Sequence, residues 1–232
     1  MGTDPMMNLH THTVYSDGTH PPGSIVLRAC QGGLEHIAIT DHFETTKVPR
    51  PLTRDNFPRY MKDIKALKRK YEGRIEVLSG VEIDTNPGRC DHGRLPYDLL
   101  NELDVVLFEY ASDPMNGGMT LDALKDVRSK LNMPCGLCHW DIDRIFPNED
   151  PAVIADMLSE MDLFVEVSTS DYYTRDGLHF YELGERFFKA FDGKVKLSIG
   201  TDTHHRLDEV VNIQKGQEFV RKHGLGRQML FQ

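Results

Sequence analysis

Short, nearly continuous apolar runs alternate along this chain with longer stretches whose apolar residues recur every three or four positions. The runs are "MNLHT", "HIAIT", "IEVLSGVEI", "DVVLFEY", "PCGLCH", "LFVEVS" and "VKLSIGTD". Runs of this length and kind read as strands covered on both faces. The clearest helix between them spans about Arg54 to Tyr71, where Phe57, Tyr60, Met61, Ile64, Leu67 and Tyr71 form one apolar stripe. Its other face is rich in Lys and Arg and reads as solvated. Gly32-Gly33 ends an earlier helix and Gly73 ends this one. Further helices are expected over Leu121–Leu131, Gly177–Phe191 and Asp208–His223. Strands alternating with helices predict a parallel α/β sheet. No repeat, low-complexity tract or linker divides the chain, so residues 1–232 are expected to form one domain. A closed or nearly closed barrel is preferred to an open sheet, because polar residues sit at the C-terminal end of almost every strand. A barrel brings those ends to one mouth, whereas an open sheet spreads them along an edge.

The composition agrees with one globular unit: 232 residues, 39% of them hydrophobic. The formal charge of −9 argues against a general nucleic-acid grip. An acidic chain can still hold a phosphate through bound divalent cations, which reverse the local field. No apolar run reaches transmembrane length, and no basic-then-apolar leader opens the chain, so no membrane partner and a cytoplasmic location are expected. "MGTDP" ahead of Met6-Met7 is compatible with a vector remnant. Cys135 and Cys138 form a C-x-x-C, a spacing also used for zinc or redox chemistry. They lie in the apolar stretch "MPCGLCHW" with no second such pair, and read as reduced core cysteines.

Candidate chemistry starts at "NLHTHTVYSDGTHPP". His10 and His12 are two residues apart, so on a strand they face the same way and can reach one metal ion. Asp17 follows in the next loop. The second run ends with Asp41 and His42, the third with Glu82, the fifth with His139, Asp141 and Arg144, and the last with Asp202 and His204. A single His or Asp at a strand end is more often a cap or a surface group. Five such clusters at the same end of successive strands supply imidazoles and carboxylates, the ligand set of zinc, iron or manganese.

The ordered set "HTH…SDG", "ITDH", "GVE", "CH" and "GTDTHH" resembles the PHP (polymerase and histidinol phosphatase) family over about Met7 to His205. The resemblance implies a distorted (β/α)7 TIM-like barrel, two to three divalent metal ions at the strand C-termini, and phosphoester hydrolysis. It assigns His10, His12, Glu82 and Asp202 to a first, catalytic metal. Glu82 would bridge to a second metal shared with His139, and Asp17, His42 and His204 would hold a third. "HWDIDR" is similar to the histidine-to-arginine spacing of histidinol phosphatases, which makes Arg144 a candidate phosphate ligand, with Arg206 as a further one. One departure stands out. The family pattern expects another metal-binding histidine after the fourth strand, where this chain has Ala111. Glu109, two residues earlier, faces the same way about 7 Å deeper in the barrel. It is the preferred substitute, ahead of His92. His20, His36, His179, His205 and His223 are taken as non-ligands.

The expectation is therefore a metal-dependent phosphoesterase acting on a small phosphate monoester, histidinol phosphate or similar. Cations would clamp the phosphate and lower the pKa of a bound water. The alternatives are a domain whose metals are structural or regulatory, with weak or no catalysis, and C–N bond hydrolysis. The latter is disfavoured because no lysine stands at a strand end, where a bridging carbamate would form.

Overall fold

A computed structural model describes residues 6–231. The "MGTDP" segment lies outside the described residues. Seven parallel strands form one sheet in the order β1 (Met7–Asn8), β2 (His36–Ile39), β3 (Glu76–Asp84), β4 (Val105–Glu109), β5 (Cys135–Leu137), β6 (Leu163–Ser168) and β9 (Leu197–Gly200). A small antiparallel hairpin of β7 (Thr174–Arg175) and β8 (Leu178–His179) stands apart from it. The barrel closes between its first and last strands. The Leu9 amide donates to Ile199 O at 2.9 Å, the His12 amide donates to Thr203 O at 2.9 Å, and Thr11 bridges Thr203 in parallel. This is the nearly closed parallel α/β barrel that the alternating pattern predicts, in the distorted TIM-like form that the family resemblance implies.

Both faces of the sheet are buried, which is why the strands read as unbroken apolar runs. Helices Pro22–Gln31 and Phe57–Tyr71 cover one flank, the second with Phe57, Tyr60, Met61, Ile64 and Tyr71 turned inward. Gly33 and Gly73, at φ +77° and +72°, end the two segments as expected. Gly136 in β5 has a different reason: a Cβ there would lie 2.1 Å from the Phe164 ring, so its absence lets β6 pack closely.

Several element bounds differ from expectation. Helix Leu121–Arg128 is capped by Thr120, whose hydroxyl accepts from the Ala123 amide. The segment expected as one helix from Gly177 is instead the hairpin strand β8 followed by helices Phe180–Leu183 and Glu185–Ala190, broken at Gly184. A Cβ at Gly184 would sit 2.6 Å from Ile142, so packing required the residue that interrupts the helix. The stretch from Asp208 divides into a 3-10 turn, Leu207–Val211, and helix Gln214–Lys222. Helix Pro151–Glu160 was not anticipated, although Asp150 as cap and Pro151 as first residue are a legible start signal. No described helix is long and apolar enough to cross a membrane.

Candidate metal centre

The C-terminal ends of the barrel strands bring the predicted imidazole and carboxylate ligands, though not Arg206, to one point. His10 and His12 follow β1, are fully buried, and bring their Nε2 atoms within 3.1 Å of each other. Asp41 secures the loop after them. Its carboxylate accepts from the Thr13 amide at 2.8 Å and from the Thr13 and Ser16 hydroxyls at 2.7 Å. That loop then turns Asp17 back over His12, His42 and His204, at 3.7, 3.7 and 3.4 Å.

Glu82 of β3 is central. Its Oε1 lies 2.9 Å from His139 Nε2 and 3.4 Å from His10 Nε2. Its Oε2 lies 2.8 Å from His42 Nδ1 and 3.5 Å from His12 Nε2. Asp202 Oδ1 approaches His10 and His12 at 3.2 and 3.0 Å, while its Oδ2 accepts from the Tyr173 hydroxyl at 2.7 Å. His139 and Asp202 both adopt left-handed backbone, at φ +35° and +48°. Such strain in non-glycine residues persists where surrounding structure enforces it, commonly at functional sites.

The ligand atoms fall into four groups, each mutually within 4.8 Å: His10, Glu82, Cys138 and His139; His12, Asp17, His42 and His204; His10, His12 and Asp202; and His42, Glu82 and Glu109. His20, His36, His179, His205 and His223 belong to none of them.

The donor set fits cations. Buried atoms His42 Nδ1, Glu82 Oε2, Glu109 Oε1 and Asp202 Oδ1 face this centre without a hydrogen bond. Their nearest polar contacts are with one another and with His12, at 2.8 to 3.6 Å, and a buried set of imidazoles and carboxylates in contact without hydrogen bonds is costly. Without metal cations, protons and the Lys47 ammonium neutralise the cluster, and the protons are shared unevenly. Burial lowers the pKa of His12 to about 3, helped by the charges of His42 and His204. Burial also opposes protonation of His10, but Glu166, Asp202 and Glu82 outweigh it and raise its pKa well above the usual value. His204 rises to about 9, burial again being outweighed, here by Asp17 and Asp202. Metal binding at such a cluster displaces protons.

Glu109 is fully buried and 3.6 Å from His42. Burial, then the charge of Glu82, raises its pKa. Its Oε2 accepts from Lys47 Nζ at 2.5 Å, and the ammonium also lies 5.0 Å from the Tyr110 ring centre. Ala111 is buried, and its carbonyl accepts from the Trp140 indole at 2.6 Å. His92 spends its Nε2 on the Asp84 carbonyl at 2.8 Å. Arg144 bonds Asp113 and Asp141 at 2.8 and 3.0 Å, and lines a cavity of about 260 Å³ with Tyr110, His139, Trp140, Asp141 and Tyr173. Arg206 is two-thirds exposed and turns its guanidinium to Asp208 and Glu209, away from the imidazoles.

Sequence reasoning missed three participants. Glu166 receives the His10 ring at 3.0 Å through Oε1 and the His139 amide at 2.7 Å through Oε2. Its signal was available: a lone carboxylate inside the apolar run "LFVEVS", as with Glu109 in "VVLFEY". Lys47 comes from a long loop whose path only the fold reveals. Cys138, set aside as core, places Sγ 3.0 Å from Glu82 Oε1.

The PHP domain model matches residues 8–170. Among curated proteins, the chain is 28% identical over 222 residues to the uncharacterized protein MJ1295 of Methanocaldococcus jannaschii, covering 94% of this chain and 88% of that one. It is 34% identical over 102 residues to the DNA polymerase/3'-5' exonuclease PolX of Bacillus subtilis, but these cover 43% of this chain and 17% of the polymerase. Among solved structures, histidinol phosphate phosphatase from Lactococcus lactis, complexed with zinc, L-histidinol and phosphate, superposes with a TM-score of 0.65. That match has 18% identity and covers 95% of this chain and 94% of the phosphatase. The chain belongs to the PHP domain family. The expectation of a metal-dependent phosphoric ester hydrolase stands with that membership.

Proposed function

We propose that this protein hydrolyses a small phosphate monoester, histidinol phosphate or a similar compound, using two to three divalent cations such as zinc, iron or manganese. The convergence of buried ligand atoms that make no hydrogen bond on Glu82 and Asp202 carries this reading. His10, His12, Glu82 and Asp202 would hold the first cation. Glu82 and His139 would hold the second, with Glu109 nearby, and Asp17, His42 and His204 the third. Bound there, cations would supply the charge that holds phosphate oxygens and activates water.

The chain's own residues do the rest. Glu166 orients the His10 ring by accepting a hydrogen bond from Nδ1–H, so that in the neutral ring the Nε2 lone pair faces the centre. Tyr173 covers the His139 ring at 4.0 Å and holds Asp202, limiting water access from that side. In the adjoining cavity, Arg144 would take a phosphate oxygen. The aromatic walls formed by Tyr110, Trp140 and Tyr173 suit a small leaving group with a ring. The L-histidinol complex of the Lactococcus lactis enzyme supports that choice. A cytoplasmic location accords with such a substrate.

Lys47 favours a second reading. An ammonium bonded to Glu109 already neutralises part of the mouth, as would suit a domain with structural or regulatory cations and weak catalysis. Assays of metal-supplemented protein with histidinol phosphate, an aryl phosphate, a phosphodiester and an amide distinguish the readings. Chelator-sensitive turnover of the monoesters is expected. Bound metal with no turnover of any substrate would favour the second reading.

A further inference from the structure

We propose that Cys138 is a thiolate ligand of the second cation, completing with Glu82 and His139 the shell that Ala111 leaves short. The inference rests on the metal-dependent reading above and names a ligand that reading lacks.

Consecutive strand residues normally point to opposite faces, so Cys138 and His139 should not share a site. Here the chain leaves β5 with His139 at φ +35°, its amide pinned to Glu166 Oε2 at 2.7 Å. That turn aims both side chains into the barrel. Cys138 Sγ lies 3.0 Å from Glu82 Oε1, the same oxygen that lies 2.9 Å from His139 Nε2. With His10, these atoms are mutually within 4.8 Å, and all four residues are buried. Glu109 lies on the other side of Glu82. It groups with His42 and Glu82, and its second oxygen is taken by Lys47. The His139 side therefore has sulfur as its available third donor.

Three protein ligands suit a zinc-like ion that keeps an open position, and thiolate sulfur favours zinc or iron over manganese or magnesium. On ligation the S–H bond breaks, its proton leaves to solvent, and the sulfur lone pair forms the metal bond. No oxidant or reductant is required. The competing role is a protonated thiol that donates to Glu82 Oε1 and to Phe108 O, at 3.0 and 3.3 Å, and only props the carboxylate.

The test uses the full chain, stripped of metal and loaded with cobalt(II) in known equivalents. A near-ultraviolet sulfur-to-cobalt charge-transfer band is expected in the wild type. It should be retained in Cys30→Ser and lost in Cys138→Ser and Cys138→Ala. X-ray absorption of the zinc form should show a sulfur at about 2.3 Å, a measurement that needs no variant to fold. Cobalt that saturates every site the chain offers without the band, or a band that survives in Cys138→Ser, overturns the assignment and leaves metal dependence standing. Failure to bind cobalt or zinc at all overturns both.

Discussion

Replacing Glu166 by glutamine removes one charge, keeps the shape, and asks a side chain with one acceptor to serve two donors. Glu166 Oε1 accepts from His10 Nδ1 and Oε2 from the His139 amide, at 3.0 and 2.7 Å, in a site only 3% exposed. If the glutamine carbonyl serves the His139 amide, its NH2 faces His10. The ring must then shift its proton to Nε2, the atom 3.2 Å from Asp202 and 3.4 Å from Glu82 that a cation needs as a lone pair. If the carbonyl serves His10 instead, NH2 meets N–H at His139. Either orientation loses one charge-assisted hydrogen bond, worth about 1.5–3 kcal/mol. Loss of such an outer partner typically weakens a metal site about 10–100-fold, or about 1.4–2.7 kcal/mol. Glu166→Gln should therefore bind its tightest cation at least tenfold more weakly, read by competition with a chromogenic chelator, while circular dichroism stays native. An affinity within twofold of wild type would show that Glu166 does not set the His10 tautomer. Gly200→Ala offers an independent check, because its Cβ would fall 1.8 Å from Glu166 Oε1 and 2.6 Å from His10 Cβ, so it should produce the same defect without altering either group.

Lys47→Met should cost about 3–5 kcal/mol in metal-free protein, by stranding the buried Glu109 carboxylate. Added zinc should recover part of that loss in chemical denaturation, and no recovery would mean that Glu109 faces no cation. Arg144→Ala should raise KM for a phosphate monoester several-fold with metal content unchanged, as steady-state kinetics and elemental analysis would report. Asp104 concerns acid stability. Burial opposes its ionisation, but hydrogen bonds from Lys68 and Ser79 prevail and lower its pKa. The resulting stability is present above the unfolded value of about 4 and is lost as pH falls through the lower folded value. In Asp104→Asn, urea midpoints should fall less steeply than in wild type below about pH 4, and parallel curves would contradict this.

The alternation of apolar runs and amphipathic stretches carries the strand order, because period and burial are local properties of the chain. The spacing of His10 and His12, and of Asp202 and His204, was likewise legible, since ligands near each other in sequence share a strand end. Exact element bounds were less so. Gly184 breaks a helix where Ile142, more than forty residues away, leaves no room, and no local propensity encodes that contact. The site divides along the same line. The sequence names the imidazoles and carboxylates but not their outer partners. Glu166 acquires its role only when β6 lies beside β5 in register, and Lys47 only when its loop folds over the mouth to Glu109. Cys138 reads as core because it lies in the apolar stretch "MPCGLCHW" with no second C-x-x-C, and strand alternation would in any case point it away from His139. The left-handed turn at His139 reverses that, and a backbone dihedral held by a distant carboxylate belongs to the tertiary structure alone.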